Sequence, residues 1–391
     1  MSAPARPAAF GALVVGGGVV GLATAWQLAR LGCERVGLVE RFRPGHDRGS
    51  SHGHSRITRS SYADPLYVRL AGIAHREEWP RLERDAGVRL IHRCDGLFFG
   101  PPEGPFAANA AAVAAVGVDV ERLSPAEARR RFPHFRFAGA EGVLHDRTGG
   151  VIAAAETVAA LARRCSVEGV HVLDDTQVLA IEPAAGPVAL ATTRGRLLAE
   201  RVVVAAGAWA AALVPALAPR LTVKRQSVGY FALEAPPEAM RPGAFPVWAW
   251  LGPGPNGLRY GLPEFGRPGI KAAVHTLAGP PDDPDARPGP DERALAAIAG
   301  FLEAQLTVRV RERLRAETCL YTSTPSEDFV LDTLPGNPRV VVGSACSGHG
   351  FKFGPLTGRL LAELALSGRT SVPEFEAHRA RFALAAAPEA R

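Results

Sequence analysis

The chain has 391 residues, a formal net charge of +6 and 45 basic side chains, of which Lys224, Lys271 and Lys352 are the only lysines. No run of five or six like charges occurs, which argues against a polybasic nucleic-acid arm or membrane patch. A hydrophobic fraction of 47% and a charged fraction of 21% are those of a globular protein of one or two domains, with core enough to need no disulfide or metal staple.

Ala12–Val15 reads as a short apolar strand that breaks at Gly16-Gly17-Gly18. Val19–Leu31 has helical spacing, Gly32 ends it, and Arg35–Val39 is a second strand closing at Glu40. Arg6 followed by Phe10–Leu28, with Ala23-Thr24-Ala25, has the outline of a signal peptide, but five glycines interrupt it and fit a nucleotide loop better. Tyr67–Ala86 is expected to be a helix, and Val88–Gly100 a strand pair around Asp95-Gly96. Ser124–Phe132 opens with capping-box spacing. Ala153–Cys165 is expected as a helix, with strands at Val170–Leu173, Gln177–Glu182, Arg201–Ala206 and Val223–Leu233. Pro280–Arg287 is a surface loop, Asp291–Gln305 a helix, Val340–Gly343 a buried strand and Leu356–Leu366 a closing helix. No role is assigned to the Ala/Arg-rich tail after Pro373. Strands and helices alternate at both ends, and the middle resembles antiparallel strands. This predicts an α/β domain built from separated segments with a second domain inserted, α+β overall. The five cysteines are widely spaced and form no CxxC pair, so reduced thiols in a cytoplasmic protein, without a metal site, are expected.

Gly16-Gly17-Gly18-Val19-Val20-Gly21 is GxGxxG, set between a strand and a helix, with Glu40 lying 24 residues beyond Gly16. Gly16 permits the tight turn, Gly18 the approach of a pyrophosphate, and Gly21 close helix–strand packing. The helix N-terminus offers free N–H groups to phosphates. Glu40 can accept from ribose hydroxyls, which disfavours a 2′-phosphate. This unit alone leaves FAD and NAD open. The strand running into Gly207-Ala208-Trp209 would let a long cofactor pass close to the backbone, as in flavoproteins with this N-terminal unit.

Three further stretches are Gly49-Ser50-Ser51-His52-Gly53-His54-Ser55-Arg56-Ile57-Thr58-Arg59, Thr318-Cys319-Leu320-Tyr321-Thr322 and Ser347-Gly348-His349-Gly350-Phe351-Lys352-Phe353. Together and in this order they resemble the family of monomeric sarcosine oxidase, N-methyltryptophan oxidase and pipecolate oxidase. The likeness runs from Leu13 to about Gly368. It implies a glutathione-reductase-type FAD-binding Rossmann domain (residues 1–87, 150–222 and 325–391) and an antiparallel-sheet substrate domain (88–149 and 223–324). It also implies a monomer that oxidises a secondary amino acid with FAD and dioxygen, releasing hydrogen peroxide.

The resemblance implies roles residue by residue. Cys319 matches the cysteine joined to the flavin 8α-methyl. Lys271 matches the oxygen-activating lysine, and a fixed cation there would stabilise nascent superoxide. Arg59 and Lys352 match the ligands of the substrate carboxylate. Arg56 matches an arginine placed against the flavin. His275, His349, Tyr260 and Tyr321 match side chains around the substrate. Ser50, Ser51, Gly348, Gly350 and Lys352 fall in its cofactor-binding stretches. The helix from Pro355 would point its N-terminus at the flavin. Ser55 stands where some relatives have Thr, and Leu251 replaces a bulkier, more flexible residue. Cys346 is read as packing, and Lys224 matches nothing catalytic. The rival readings are an FAD-dependent dehydrogenase with another acceptor, an NAD-dependent dehydrogenase, and a non-catalytic flavin-binding subunit.

Overall fold

The computed structural model describes residues 9–384 apart from 44, 183–185, 255 and 278. Arg6 of the signal-peptide outline and the end of the Ala/Arg-rich tail lie outside the described residues.

Apolar runs make the parallel core. Phe10–Val15 pairs in parallel with Gly195–Val204 on one side and Val36–Val39 on the other, and Val36–Val39 pairs in turn with His171–Leu173. Asn337–Ser344 joins the far side of Gly195–Val204, also in parallel. Val202–Val204 and Val340–Val342 are sealed on both faces, as a helix-covered parallel sheet requires. The first helix, Val19–Arg30, crosses the closing helix, Gly354–Ser367, at close range. Gly358 makes that crossing possible, because a Cβ there would lie 2.5 Å from the Ala23 Cβ. The signal-peptide outline is thus a strand, turn and helix of this layer.

The second sheet has the order Val310–Ser323, Thr222–Leu233, Ile270–Val274, Leu258–Leu262, Val247–Leu251, Gly96–Gly100, Gly142–Asp146, Val120–Leu123. Its pairs are antiparallel except Val247–Leu251 with Gly96–Gly100. Helix Glu292–Gln305, capped by the Asp291 carboxylate, covers its back with Leu295, Ile298 and Leu302. A small third sheet joins Ser55–Thr58, Gly150–Ala153 and Ile91–Arg93.

Two expectations need correction. The strands flanking Asp95 are not a hairpin: Ile91–Arg93 pairs with Gly150–Ala153, and Gly96–Gly100 pairs with Gly142–Asp146. Asp95 adopts φ 63° and turns the chain from one sheet into another. The helix expected over Tyr67–Ala86 is Pro65–Ile73, a π turn at Ala74–Glu78, and Trp79–Ala86. Pro80 has no N–H to donate back along the helix, so the ladder widens ahead of it.

Candidate active site

One continuous cavity of about 1320 Å³ runs between the two large sheets, beyond the usual size of a small-ligand pocket. Its wall includes Gly16, Gly18, Glu40, Ser50, Ser51 and Gly207 at one end. Arg56, Arg59, Tyr260, Lys271, His275, Cys319, Tyr321, Gly348, His349, Gly350 and Lys352 line the rest. Among the residues singled out from the sequence, Gly21 stands outside the lining. A Cβ on Gly21 would lie 1.8 Å from the Gly16 carbonyl oxygen, so it serves the turn.

The nucleotide end is a glycine cradle. Gly16 has φ +108°, and a Cβ there would strike the Ala205 carbonyl oxygen at 2.4 Å. Ser51 Oγ accepts from the Val19 N–H at 3.0 Å, tying the loop after Glu40 to the helix N-terminus. Glu40 is buried and accepts from the backbone N–H groups of Gly17 and Phe42. Burial pushes its pKa up, but the His46, Gly17 and Phe42 hydrogen bonds outweigh that and hold it below the ordinary value. A carboxylate has about four lone-pair sites, so capacity for a hydroxyl donor remains. A Cβ on Gly207 would meet nothing within 4 Å, which leaves the backbone there approachable. Cradle, acidic residue and open glycine together fit an elongated dinucleotide.

At the centre, Arg56 binds the loop that carries it. Its guanidinium donates to the carbonyls of Ser50, His52 and Ser55 at 2.6–2.9 Å. Lys271 is buried and donates to the same Ser55 carbonyl at 3.0 Å. Burial, reinforced by Arg56, lowers its pKa from 10.5 to about 7. Cys319 lies on the strand Val310–Ser323 with Sγ 4.0 Å from Arg56 Nη2 and 3.8 Å from the Ser50 carbonyl. Burial raises this thiol, while Arg56 and Lys271 pull it down. Cys346 also lines the cavity, and its Sγ stands 4.0 Å from the Leu320 carbonyl. It is part of the wall as well as of the packing.

Beyond this lies a cationic corner. Arg59 sits 4.7 Å and Lys352 Nζ 5.6 Å from the Tyr62 ring. Lys352 donates to the His349 carbonyl at 2.7 Å, and its own carbonyl accepts from Trp79 Nε1 at 2.7 Å. Burial and then Arg59 hold the Lys352 amine well below its usual value. His349 is likewise pushed down by burial and Lys352. Tyr260 and Tyr321 join hydroxyls at 3.2 Å. The His275 ring lies 5.2 Å from that of Tyr321. His275 follows the end of its strand, Ile270–Val274, instead of lying within it. Gly348 leaves the room these rings occupy, since a Cβ there would approach both Tyr321 and His275 within 2.8 Å.

Two wall residues carry no motif and escape a reading of the sequence. Tyr62 becomes important only because the fold places Arg59 and Lys352 beside it. Glu327, in the turn after Thr324, has φ 62° and sets its carboxylate 3.4 Å from His275 Nε2. Lys224 lies outside the cavity, buried, with Nζ donating to the Pro280 carbonyl at 2.7 Å.

Residues 12–364 match the family of FAD dependent oxidoreductases (DAO). The chain is 35% identical to the peroxisomal sarcosine oxidase of Mus musculus over 91% of its own length and 92% of that protein's. It is 31% identical to the monomeric sarcosine oxidase of Arthrobacter sp. (strain TE1826), covering 92% and 93% of the two chains. Among solved structures it is similar to NikD, an unusual amino acid oxidase essential for nikkomycin biosynthesis. That superposition has a TM-score of 0.81 at 28% identity and covers 96% of this chain and 98% of the other. With a glycine cradle at one end of the cavity and a family match over most of its length, the chain belongs to the FAD-dependent oxidoreductases.

Proposed function

We propose that the chain oxidises the C–N bond of a secondary amino acid, N-methyl or cyclic, to an imine and passes the electrons to dioxygen, yielding hydrogen peroxide. One observation carries this reading. A single cavity holds a cationic corner (Arg59, Lys352), a buried amine (Lys271) and a half-buried thiol beside an arginine (Cys319, Arg56). The names of the sarcosine oxidases and of NikD support it. FAD, when bound, supplies the two-electron acceptor and returns the electrons to oxygen. Gly16, Gly18, Glu40, Ser50, Ser51, Gly207, Gly348 and Gly350 would hold it, and Cys319 would join it covalently.

The chain's own residues do the remaining work. Arg59 and Lys352 fix the substrate carboxylate, which turns a bimolecular encounter into a held geometry. Tyr260, Tyr321, His275 and His349 close around the amine and exclude water. Arg56 holds its own loop, Ser50 to Ser55, beside Cys319 and adds positive charge. Lys271 presents a cation to reduced oxygen in a low-dielectric site. The division into an FAD-binding part (1–87, 150–222, 325–391) and a substrate part (88–149, 223–324) belongs to this reading. So do a monomeric state and a cytoplasmic location. No helix among the described residues is long and apolar enough to cross a membrane.

A peroxide-coupled screen of sarcosine, other N-methyl amino acids, L-pipecolate and L-proline tests the reading. We expect anaerobic bleaching of the flavin with at least one of them, and one peroxide per turnover in air. Bleaching without peroxide would make the chain a dehydrogenase. Acid precipitation tests the link, and yellow colour left in the supernatant removes Cys319 attachment.

A further inference from the structure

Arg59 lies against two ring faces, 4.7 Å from Tyr62 and 5.0 Å from Phe98. A ring face holds a guanidinium close but leaves it free to turn, so the backbone must set where it points. That backbone is held from behind the cavity wall. The buried Asp146 carboxylate accepts from the N–H groups of Ser60 at 2.7 Å and Ser61 at 3.0 Å. It also accepts from the Thr148 N–H at 2.9 Å and the Thr148 hydroxyl at 2.6 Å. These four donors fill the roughly four acceptor sites of a carboxylate. His75 stands in the π turn Ala74–Glu78, a kind of turn common at functional sites. Its Nε2 lies 2.5 Å from Thr58 Oγ1 and its Nδ1 3.4 Å from Ser60 Oγ. A single imidazole thus spans Arg59 on both sides. Thr58, Ser60, His75, Asp146 and Thr148 all lie outside the cavity lining.

The protons of this network fall into one order. Thr148 gives its hydroxyl proton to Asp146, so Ser60 must donate in its 2.8 Å contact with Thr148 Oγ1. Ser60 Oγ is then left to accept, which puts the imidazole proton on Nδ1. Nε2 in turn accepts from the Thr58 hydroxyl. This order needs a neutral ring. Desolvation, with the charges of Arg93, Lys352 and Arg76, lowers the His75 pKa from 6.5 to about 3. We propose that His75 is a positioning residue for the carboxylate end of the substrate: it locks Thr58 and Ser60, and so aims the guanidinium of Arg59. This rests on the oxidase reading above, in which Arg59 binds that carboxylate. Such support from outside the cavity is what a binding group needs if its geometry is to hold within about 0.5 Å. Asp146 anchors the far end of the same network and fixes the chain at Ser60 and Ser61.

The test uses the holoenzyme and the amino acid that the peroxide screen finds best oxidised. Butyrate and cyclopentanecarboxylate, which are sarcosine and proline with carbon in place of nitrogen, serve as inhibitors. His75→Phe fills the site and removes both hydrogen bonds. It should raise KM and the inhibition constants roughly tenfold, as the loss of one or two hydrogen bonds does. It should change kcat less than about threefold, the mark of lost binding shared by ground and transition states. His75→Gln keeps a donor and an acceptor and should recover most of the affinity. Thr58→Val and Ser60→Ala should each weaken inhibitor binding about threefold, and neither loss should add to that of His75→Phe. Flavin content and circular dichroism check that each variant is folded. Should His75→Phe not fold, Thr58→Val and Ser60→Ala carry the test, and unchanged inhibition constants in both overturn the proposal. Unchanged KM and inhibition constants in His75→Phe, a fall in kcat alone, additive losses, or a His75→Gln as weak as His75→Phe would each overturn it too. A wild type that oxidises no secondary amino acid in the screen overturns the oxidase reading and this inference with it. An active wild type with any of those variant outcomes overturns this inference alone.

Discussion

At the scale of single residues, the scarcity of lysine points to where the amines matter. Lys271 and Lys352 both line the cavity, and both are buried with lowered pKa values. Lys271→Met should slow reoxidation of the reduced enzyme by oxygen about 10²–10³-fold, the cost of losing one preorganised charge donor, while anaerobic reduction by substrate changes little. Stopped-flow mixing with oxygen checks this. The same residue has a stability signature. Its folded pKa is depressed, so the folded state resists protonation, and the penalty is fully present below about pH 7. It is relieved as pH rises towards the ordinary value of 10.5, where the unfolded chain also loses its proton. At about 1.4 kcal/mol per pKa unit, Lys271→Met should melt above the wild type at pH 6, in the apoprotein, with the difference shrinking towards pH 10. A difference independent of pH would mean that Lys271 is not buried as a strained base.

At the scale of elements, legibility follows apolar patterning. The runs at Leu13–Val15, Val202–Val204 and Val340–Val342 are buried on both faces and read plainly as strands. Val310–Ser323 does not, although it is the strand that carries Cys319. Its first half, Val310–Arg315, alternates charges on an exposed face, so the periodic signal is missing where the strand begins. Phe106–Val116 is mostly alanine and shows almost no apolar face, so its pattern is silent too. The motif residues of the site are visible in the sequence, but the contacts between them are not. Ser50 Oγ to the Leu320 carbonyl spans 270 positions, a distance no local pattern encodes. The Pro280–Arg287 loop behaves similarly. Lys224 and Arg225 pin it to the strand Thr222–Leu233, and its Asp285 accepts from Arg41 and Trp209, two residues of the nucleotide end. It therefore straps the second sheet to Arg41 and Trp209. In a Cys319→Ala background, Asp285→Ala should speed flavin release about two- to fivefold, given the modest worth of exposed ion pairs, and high salt should erase the difference. Release followed by flavin fluorescence decides it, and equal rates at low salt would rule the strap out.

At the scale of the whole molecule, the cavity is the seam between two sheets. Lys271 to Ser55 and Ser50 to Leu320 cross it as polar bridges. One large apolar cluster joins Phe98, Leu144, Ala249 and Leu251 of the second sheet to Ala12, Val14 and Val203 of the first, and smaller clusters lie on either side. A dinucleotide lying along the seam contacts both sides, so its binding energy becomes folding energy for the assembled molecule. Mass action gives about 2.7 kcal/mol at a ligand concentration a hundred times its dissociation constant. A free flavin and a linked one then behave differently. In Cys319→Ala the melting temperature should climb by several degrees as FAD is added over this range, following the logarithm of its concentration. If flavin is joined at Cys319 in the wild type, as proposed, every folded molecule carries its ligand, and the melting temperature should be indifferent to added FAD. Differential scanning calorimetry at stepped FAD concentrations separates the two. A Cys319→Ala protein that melts at one temperature whatever the FAD present would show that the seam is held by protein contacts alone. A wild type that responds like the variant would show that its flavin is free to leave.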